Sequence, residues 1–425
     1  MSSNISINYI HLLTLVLATF LSDNLYCQQG KQTDCRSALY ELKSALLKTS
    51  SGQDQLKGND RHAFDRLADS IANIIGEKEN TLPCFVKLSL LVDRLKDNHL
   101  HFSETVNNPI SADSLASERW SAEYRSQAAF LNFPRWTGSL DSLTKTGQSD
   151  ADKSMGEYYW GSHLQVALVE QTDRNSICMV VTKSALPNWE PGQIFGWLWP
   201  REEGRYAGVY AQLVQKNWDF HRNIRFVDGD IPLLNLTLNR NRPSFANIAK
   251  GEPTFAIRHI SPDIDYIRLG SFSARDENRS IAQAFYKQSK DSLSAGNIIV
   301  DLRNNGGGAF KTSKPFLNLI KALSRKRKIY LLVNYHTVSN AEQFVVRLSN
   351  LKNIFVAGQP TRGMLTYGNN YGNSISLGAY KLYITDMKGS PRDLAYEDQG
   401  IRPDITLQPD SDWIQQVVDI IKRPE

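Results

Sequence analysis

The sequence lacks the short motifs that most often bind a metal ion or a phosphate group. Its four cysteines include no Cys-x-x-Cys pair, and no His-Glu-x-x-His occurs. A Gly-x-Gly-x-x-Gly dinucleotide fingerprint and a phosphate-binding loop with Gly-Lys-Ser/Thr are also absent. We therefore expect chemistry that uses side chains alone, with no metal and no cofactor.

A strong excess of positive charge is also missing. The 49 basic and 44 acidic side chains leave a net charge of +5 over 425 residues, which is too little to indicate a nucleic-acid partner. The content of 41% hydrophobic and 22% charged residues is typical of a globular protein, and the length suffices for two or three domains.

An N-terminal apolar run, Tyr9 to Leu21, is too short to span a membrane comfortably. Its length is typical of a signal-peptide core, although no Lys or Arg precedes it. We expect residues 1–27 to be a signal peptide and the protein to be exported (periplasmic, cell-surface or secreted), with no integral membrane span. Cys27 lacks the small preceding residue of a lipoprotein site.

Residues 34–101 show apolar spacing that predicts three amphipathic helices in an up-down-up arrangement. Cys35 and Cys84 lie at the starts of the first and third helices, and therefore at the same end of such a bundle. Because export permits oxidation, we expect a disulfide between them.

The most informative segment is Tyr330 to Val345, in which an apolar strand ends and a helix restarts at Ser339. A serine on such an elbow projects among the unpaired N–H groups of the helix start, which can stabilise an oxyanion. The alternative is a helix cap, because Ser339 with Glu342 also forms a capping-box pattern.

A second motif precedes it, where the predicted buried strand from Asn297 runs into three consecutive glycines, Gly306 to Gly308. Glycines let backbone N–H groups face a ligand without intervening side chains. Taken alone, the run would equally suit a flexible loop or a phosphate-binding turn.

Together, these motifs make the chain resemble the tail-specific (C-terminal processing) protease and tricorn superfamily of serine peptidases. The resemblance covers residues 254–408, reaches weakly into residues 90–102, and is carried by four segments in the same order: Ile264–Phe272, Asp301–Gly308, Thr337–Glu342 and Gly400–Asp404. It implies that Ser339 is the nucleophile. It also implies an oxyanion hole made by the N–H groups of Asn340 and of Gly307 or its neighbour Gly306.

The expected general base separates two branches of that superfamily. The Ser-Lys branch has a lysine where this chain has Met364, and a thioether cannot take a proton. The tricorn-like branch is similar to a Ser-His-Glu arrangement, for which this chain supplies His99 and Glu397. Asn98 occupies the place of an orienting hydroxyl residue beside the histidine.

Other readings of the histidines remain open. His99 could be a capping histidine at a helix C-terminus. His101 lies two residues further on, and would share a face with His99 in an extended segment. His336 lies three residues before Ser339, where its place at a strand end favours a lining or structural role.

The expected fold is α/β, with a crotonase-like (ClpP-like) spiral core implied by the resemblance. We expect an N-terminal helical bundle (28–105), a central antiparallel β domain without a recognisable PDZ module (106–250) and an α/β catalytic core (251–425). Four aromatic residues of the central domain favour buried core over a binding groove: Trp189, Phe195, Trp197 and Trp199.

The function implied is that of a serine-type endopeptidase hydrolysing protein or peptide substrates by acyl transfer. One alternative is a catalytically silent relative that binds peptides or polymers. Another is a coenzyme A thioester enzyme on the same scaffold, but export argues against it because coenzyme A is cytosolic.

Overall fold

The computed structural model describes residues 32–107, 109–145, 155–241 and 244–423. The predicted signal peptide, residues 1–27, lies outside these ranges. The chain divides into two compact units, the first comprising the residues up to Arg240 together with 369–387 and the second comprising 241–368 and 388–425. Within the described ranges, no helix is both long and apolar enough to cross a membrane.

The first unit begins with helices whose apolar faces are buried. Asp34 caps the first of them, because its carboxylate accepts the Ser37 N–H at 2.9 Å. The three predicted amphipathic helices are present, with a short fourth between the first two: Cys35–Lys48, Ser50–Gln55, Asn59–Ile74 and Thr81–Asp93. Shorter helices follow at Ala112–Ala116, Glu118–Arg125, Ala128–Leu131 and Leu140–Lys145.

The predicted disulfide is confirmed. Cys35 and Cys84 are bonded, with their Cα atoms 5.7 Å apart, and both side chains are buried. The bond therefore joins the starts of the first and third long helices. Cys178 is a buried free thiol.

A large antiparallel sheet of 11 strands follows the helices. Eight of its strands come from residues 156–237, and the other three come from residues 101–104, 374–377 and 380–383. The order across the sheet is Asp230–Ile231, Leu236–Thr237, Gly156–Trp160, Leu164–Gln171, Ser176–Ser184, Ile194–Pro200, Arg205–Ala211, Trp218–Arg225, His101–Glu104, Tyr380–Tyr383 and Ser374–Leu377. A separate pair joins Gln32–Thr33 to Glu79–Asn80.

The aromatic cluster of this sheet is buried core, as the sequence favoured. Trp189, Phe195, Trp197 and Trp199 are all buried within the main apolar cluster of the first unit. These four rings therefore do not form a binding groove. Burial of their apolar surface stabilises the sheet instead.

The second unit contains a six-stranded sheet with helices between its strands. Its strands, in order, are Phe255–Ser261, Ile264–Leu269, Asn297–Asp301, Lys328–Val333, Ile354–Gly358 and Ile405–Thr406, and only the first pair is antiparallel. The helices are Asp276–Ser292, Phe310–Leu323, Asn340–Val346 and Trp413–Lys422. Two further short strands are Tyr367–Gly368 and Met387–Lys388.

The parallel strands explain where a site can form. Their side chains are buried almost throughout, as expected of strands covered on both faces. The carboxyl ends of neighbouring parallel strands lie at one edge of the sheet, which is where open α/β sheets bind ligands. The glycine run and the Ser339 elbow follow two such neighbouring strands.

The Cys35–Cys84 bond makes a testable contribution to stability. Replacing either cysteine with serine should lower the free energy of unfolding by about 2–4 kcal/mol, because the unfolded chain gains the entropy of an open loop. The double variant should lose no more than a single variant, since one bond is lost in each case. Alkylation of denatured, unreduced protein should label Cys178 and spare the other two; labelling of Cys35 and Cys84 would contradict the assignment.

Candidate functional site

Ser339 lies on a tight elbow between the strand Lys328–Val333 and the helix Asn340–Val346. Its backbone has φ 59° and ψ −125°, a conformation that costs a non-glycine residue about 1–3 kcal/mol. The side chain is half-exposed whereas Asn340 and Ala341 are buried. A strained, accessible serine at a strand-to-helix turn is the geometry of a nucleophile elbow.

Glu342 holds this elbow in place. Its fully buried carboxylate accepts the N–H of Ser339 at 3.0 Å, so the capping interaction predicted from the sequence is present together with the elbow. The same carboxylate accepts the Thr361 hydroxyl at 2.6 Å and the N–H groups of Gly363 and Met364 at 2.7 and 2.9 Å. One side chain thus joins the elbow to the segment that follows the next strand.

Burial raises the pKa of Glu342 above its ordinary value, and the four hydrogen bonds that the carboxylate accepts offset only part of this rise. All four groups donate to the carboxylate, which is the pattern that stabilises the ionised form. Glu342 also lies in the first turn of the helix, where the helix dipole favours the ionised carboxylate.

The glycine run packs directly against the elbow. Gly307 has φ 80°, and a Cβ atom added there would lie 2.8 Å from the Cβ of Ser339 and 2.8 Å from the N of Asn340. Only glycine fits at that distance. Neighbouring Gly306 faces open space, with nothing within 4 Å of an added Cβ.

The two predicted glycine donors differ in their hydrogen bonds. The Gly307 N–H donates to Asn305 Oδ1 at 2.9 Å. Within the described part of the chain, the Gly306 N–H makes no such bond. Of these two glycines, Gly306 is therefore the one whose N–H is left for a ligand.

A buried ion pair fixes the start of the glycine run. The Arg303 guanidinium contacts the Asp301 carboxylate at 2.6 Å, and the Tyr266 hydroxyl donates to the same carboxylate at 3.0 Å. The run is then tied to Phe272, whose N–H donates to the Gly307 carbonyl at 3.1 Å. These contacts tie the segment that carries the glycine run to neighbouring strands of the sheet.

Glu397 also lies in the second unit and is fully buried. Its Oε2 accepts the N–H groups of Leu365 and Thr366 at 3.0 and 2.9 Å. The adjoining Met364 carbonyl accepts the N–H of Ser339 at 2.9 Å. The second unit therefore brings together Ser339, Asn340, Gly306, Gly307 and Glu397 around one loop.

His99 and Asn98 belong to the first unit. Asn98 is buried and His99 half-buried, just after the helix Thr81–Asp93. The His99 N–H donates to Asp97 Oδ1 at 3.0 Å, and the Thr385 hydroxyl donates to Oδ2 of the same carboxylate at 2.8 Å. Burial raises the pKa of Asp97, which is the residue that shapes the turn carrying His99.

The other histidines considered from the sequence are in different surroundings. His336 is half-buried in the second unit, and burial, together with the charge of Arg362, lowers its pKa. Its ring packs edge-on against Tyr335. His101 lies on a strand of the first unit with its Nε2 3.4 Å from Asp219 Oδ1.

Three residues, one in the first unit and two in the second, were missed or undervalued in the sequence analysis. Asp97 and Thr361 gave no signal, because their partners Thr385 and Glu342 lie far away along the chain. Glu342 was visible only as a capping residue. Their shared feature is a buried polar group with several partners, which is recognisable only in the folded structure.

No family model and no curated protein matches the chain. Comparison with solved structures finds, among others, the photosystem II D1 C-terminal processing protease at 13% identity, with 92% of this chain and 98% of that chain covered and a TM-score of 0.37. Mature CPAF has 11% identity, coverage of 91% and 96%, and a TM-score of 0.39. Tricorn protease has 14% identity, coverage of 91% and 36%, and a TM-score of 0.35. Because these TM-scores are below 0.5, we assign no activity from them.

The two glycines beside the elbow provide a matched pair of variants. Gly307→Ala should destabilise the protein by at least about 1–3 kcal/mol, because alanine is strained at positive φ and its Cβ would overlap the elbow. Gly306→Ala should unfold at nearly the wild-type denaturant concentration, since its Cβ meets open space. Equal midpoints for both variants in urea unfolding would contradict the packing described.

Proposed function

We propose that the chain is a serine-type peptidase of the tail-specific protease and tricorn superfamily, closer to the tricorn-like Ser-His-Glu branch. The observation that carries the proposal is the strained, half-exposed Ser339 elbow with a glycine run packed against it. A helix cap alone needs neither the positive φ nor the close approach of Gly307. Both features are what an acyl-transfer site requires.

In the proposed mechanism, the Ser339 hydroxyl attacks a peptide carbonyl while His99 takes its proton. The N–H groups of Asn340 and Gly306 meet the developing oxyanion, and Gly307 allows the close approach of the two segments. His99 then gives the proton to the leaving amine, which departs and leaves an acyl-enzyme. A water molecule, activated by His99, releases the second product and restores the serine.

Glu397 is proposed to hold the imidazole of His99, directly or through a water molecule. Its buried position and the two backbone N–H groups on Oε2 support this role, because they fix the carboxylate in one orientation. Asn98 is proposed to orient the same histidine. The buried Glu342 acts differently, by positioning the backbone of Ser339.

We also propose that the parallel strands of the second unit form a crotonase-like spiral core and that the protein is exported. The parallel order of five strands from Ile264–Leu269 to Ile405–Thr406 supports the first proposal. The Cys35–Cys84 disulfide supports the second, because disulfides persist in oxidising compartments.

Replacement of the nucleophile tests the proposed function. Ser339→Ala should reduce hydrolysis of fluorescein-labelled casein by roughly a thousandfold or more while the urea unfolding curve stays close to wild type. Ser349→Ala, which removes a half-exposed hydroxyl just beyond the same helix, is the matched control and should keep its activity. Casein turnover by purified Ser339→Ala at the wild-type rate would refute the proposal.

The pH profile distinguishes the candidate bases. An enzyme whose base has an ordinary histidine pKa should lose activity as pH falls through about 6.5, because the protonated ring cannot accept the serine proton. His336 has a lowered pKa, so an enzyme that used it would keep its activity to lower pH. We expect kcat/KM to fall near 6.5.

Histidine variants complete that test. His99→Gln should abolish turnover, and Glu397→Gln should reduce it less, since Glu397 orients the base and does not transfer the proton. Near-normal turnover by His99→Gln, combined with loss of turnover in His101→Gln or His336→Gln, would show that the base is assigned to the wrong histidine.

A further inference from the structure

A second cluster of chemically active side chains lies wholly within the first unit. It consists of His101 on the strand His101–Glu104 and of Asp219 and His221 on the strand Trp218–Arg225. These two strands pair antiparallel, with Phe102 opposite Phe220 and Ser103 opposite Asp219. The same register places His101 opposite His221, so all three side chains project from one face of the sheet.

The distances within this cluster suit a shared cation. One ligand atom from each residue lies within 4.8 Å of the others. Nε2 of His101 is 3.4 Å from Oδ1 of Asp219, and the two imidazole rings are stacked with centroids 5.7 Å apart. The two rings therefore lie next to each other, and at least the His101 ring lies beside the carboxylate.

The carboxylate of Asp219 is incompletely satisfied by protein groups. Its side chain is only 5% exposed, and Oδ2 accepts Gln212 Nε2 at 2.6 Å. Within the described residues, Oδ1 is buried and accepts no hydrogen bond. The distance of 3.4 Å from Oδ1 to Nε2 of His101 is too long for a charge-assisted hydrogen bond, in which these atoms lie about 2.7–2.9 Å apart. A buried carboxylate oxygen in this state is costly unless a further partner binds it.

We propose that His101, Asp219 and His221 bind a Zn²⁺ ion. Two imidazole nitrogens and one carboxylate oxygen are a common zinc ligand set, and a water molecule would fill the fourth position. The hard cations Ca²⁺ and Mg²⁺ prefer all-oxygen sites and fit less well. The hydrogen bond from Gln212 leaves Oδ1 turned towards the two rings, as a metal ligand requires.

Only small adjustments are needed to bind the ion. Ligand atoms of a tetrahedral zinc site lie about 3.3–3.6 Å apart, given metal–ligand distances of about 2.0–2.2 Å. The present spread of up to 4.8 Å closes by rotation of His101, whose side chain is 39% exposed, and of the half-buried His221. The ion would then cross-link two strands whose residues are distant in the sequence.

The zinc site shares no ligand with the proposed Ser339, His99 and Glu397 arrangement, although His101 lies only two residues after His99. The proposed zinc site matches no zinc-binding sequence motif, because two of its ligands come from one strand and the third comes from a strand far upstream. A failure of zinc binding would leave the role of Ser339 untouched, and loss of casein turnover in Ser339→Ala would say nothing about zinc.

Zinc titration of the untagged protein by isothermal calorimetry tests the proposal. Wild type should bind one Zn²⁺ per chain, and His101→Gln, His221→Gln and Asp219→Asn should each weaken binding by about 100-fold or more, because each removes a direct ligand. His62→Gln is the matched control, since His62 is an exposed histidine on another element of the first unit. It should bind zinc as wild type does.

Thermal unfolding supplies a second readout that does not depend on calorimetry. Excess Zn²⁺ should raise the Tm of wild type and of His62→Gln and leave the ligand variants unchanged, because an ion that binds only the folded state stabilises it. If one of the three ligand variants fails to fold without zinc, the comparison with wild type uses the other two variants. Absence of zinc binding by wild type, or equal binding by wild type and the folded ligand variants, would overturn the proposal.

Discussion

The buried carboxylate of Glu342 is the interaction on which the arrangement around Ser339 depends. It accepts a hydrogen bond from the elbow itself and three from Thr361, Gly363 and Met364. A buried carboxyl group is costly unless its hydrogen bonds are complete, and here every one comes from the segments around Ser339 and Gly363. The strain at Ser339 is sustained because this network leaves the backbone no alternative.

The sheet of the second unit supplies the second constraint. Parallel strands end at one edge, so the glycine run, the Ser339 elbow and the segment around Gly363 follow three neighbouring strands. Close approach then demands glycine at position 307, where a Cβ would meet the elbow at 2.7–2.8 Å. The site proposed around Ser339 thus depends on the order of the strands and on the requirement for glycine at position 307.

Sequence patterns predicted local structure well in this unit, because its strands are short apolar runs bounded by glycine and polar residues. The helix Asn340–Val346 and the strand Lys328–Val333 were both expected within a few residues. The patterns could not show that His101–Glu104 pairs with Tyr380–Tyr383, since periodicity reports conformation and carries no information about distant partners. For the same reason, the patterns could not predict the hydrogen bond between Thr361 and Glu342 or the contact between the rings of His101 and His221.

Covalent labelling is the most direct measurement of whether Ser339 is a nucleophile, because it needs no knowledge of the substrate. Purified protein would be treated with a fluorophosphonate, and the adduct located by peptide mass spectrometry. We expect one adduct per chain on Ser339, and none after denaturation, when the elbow and its oxyanion donors are lost. An unlabelled Ser339 in the folded protein, or an adduct on a different serine, would contradict the proposed site.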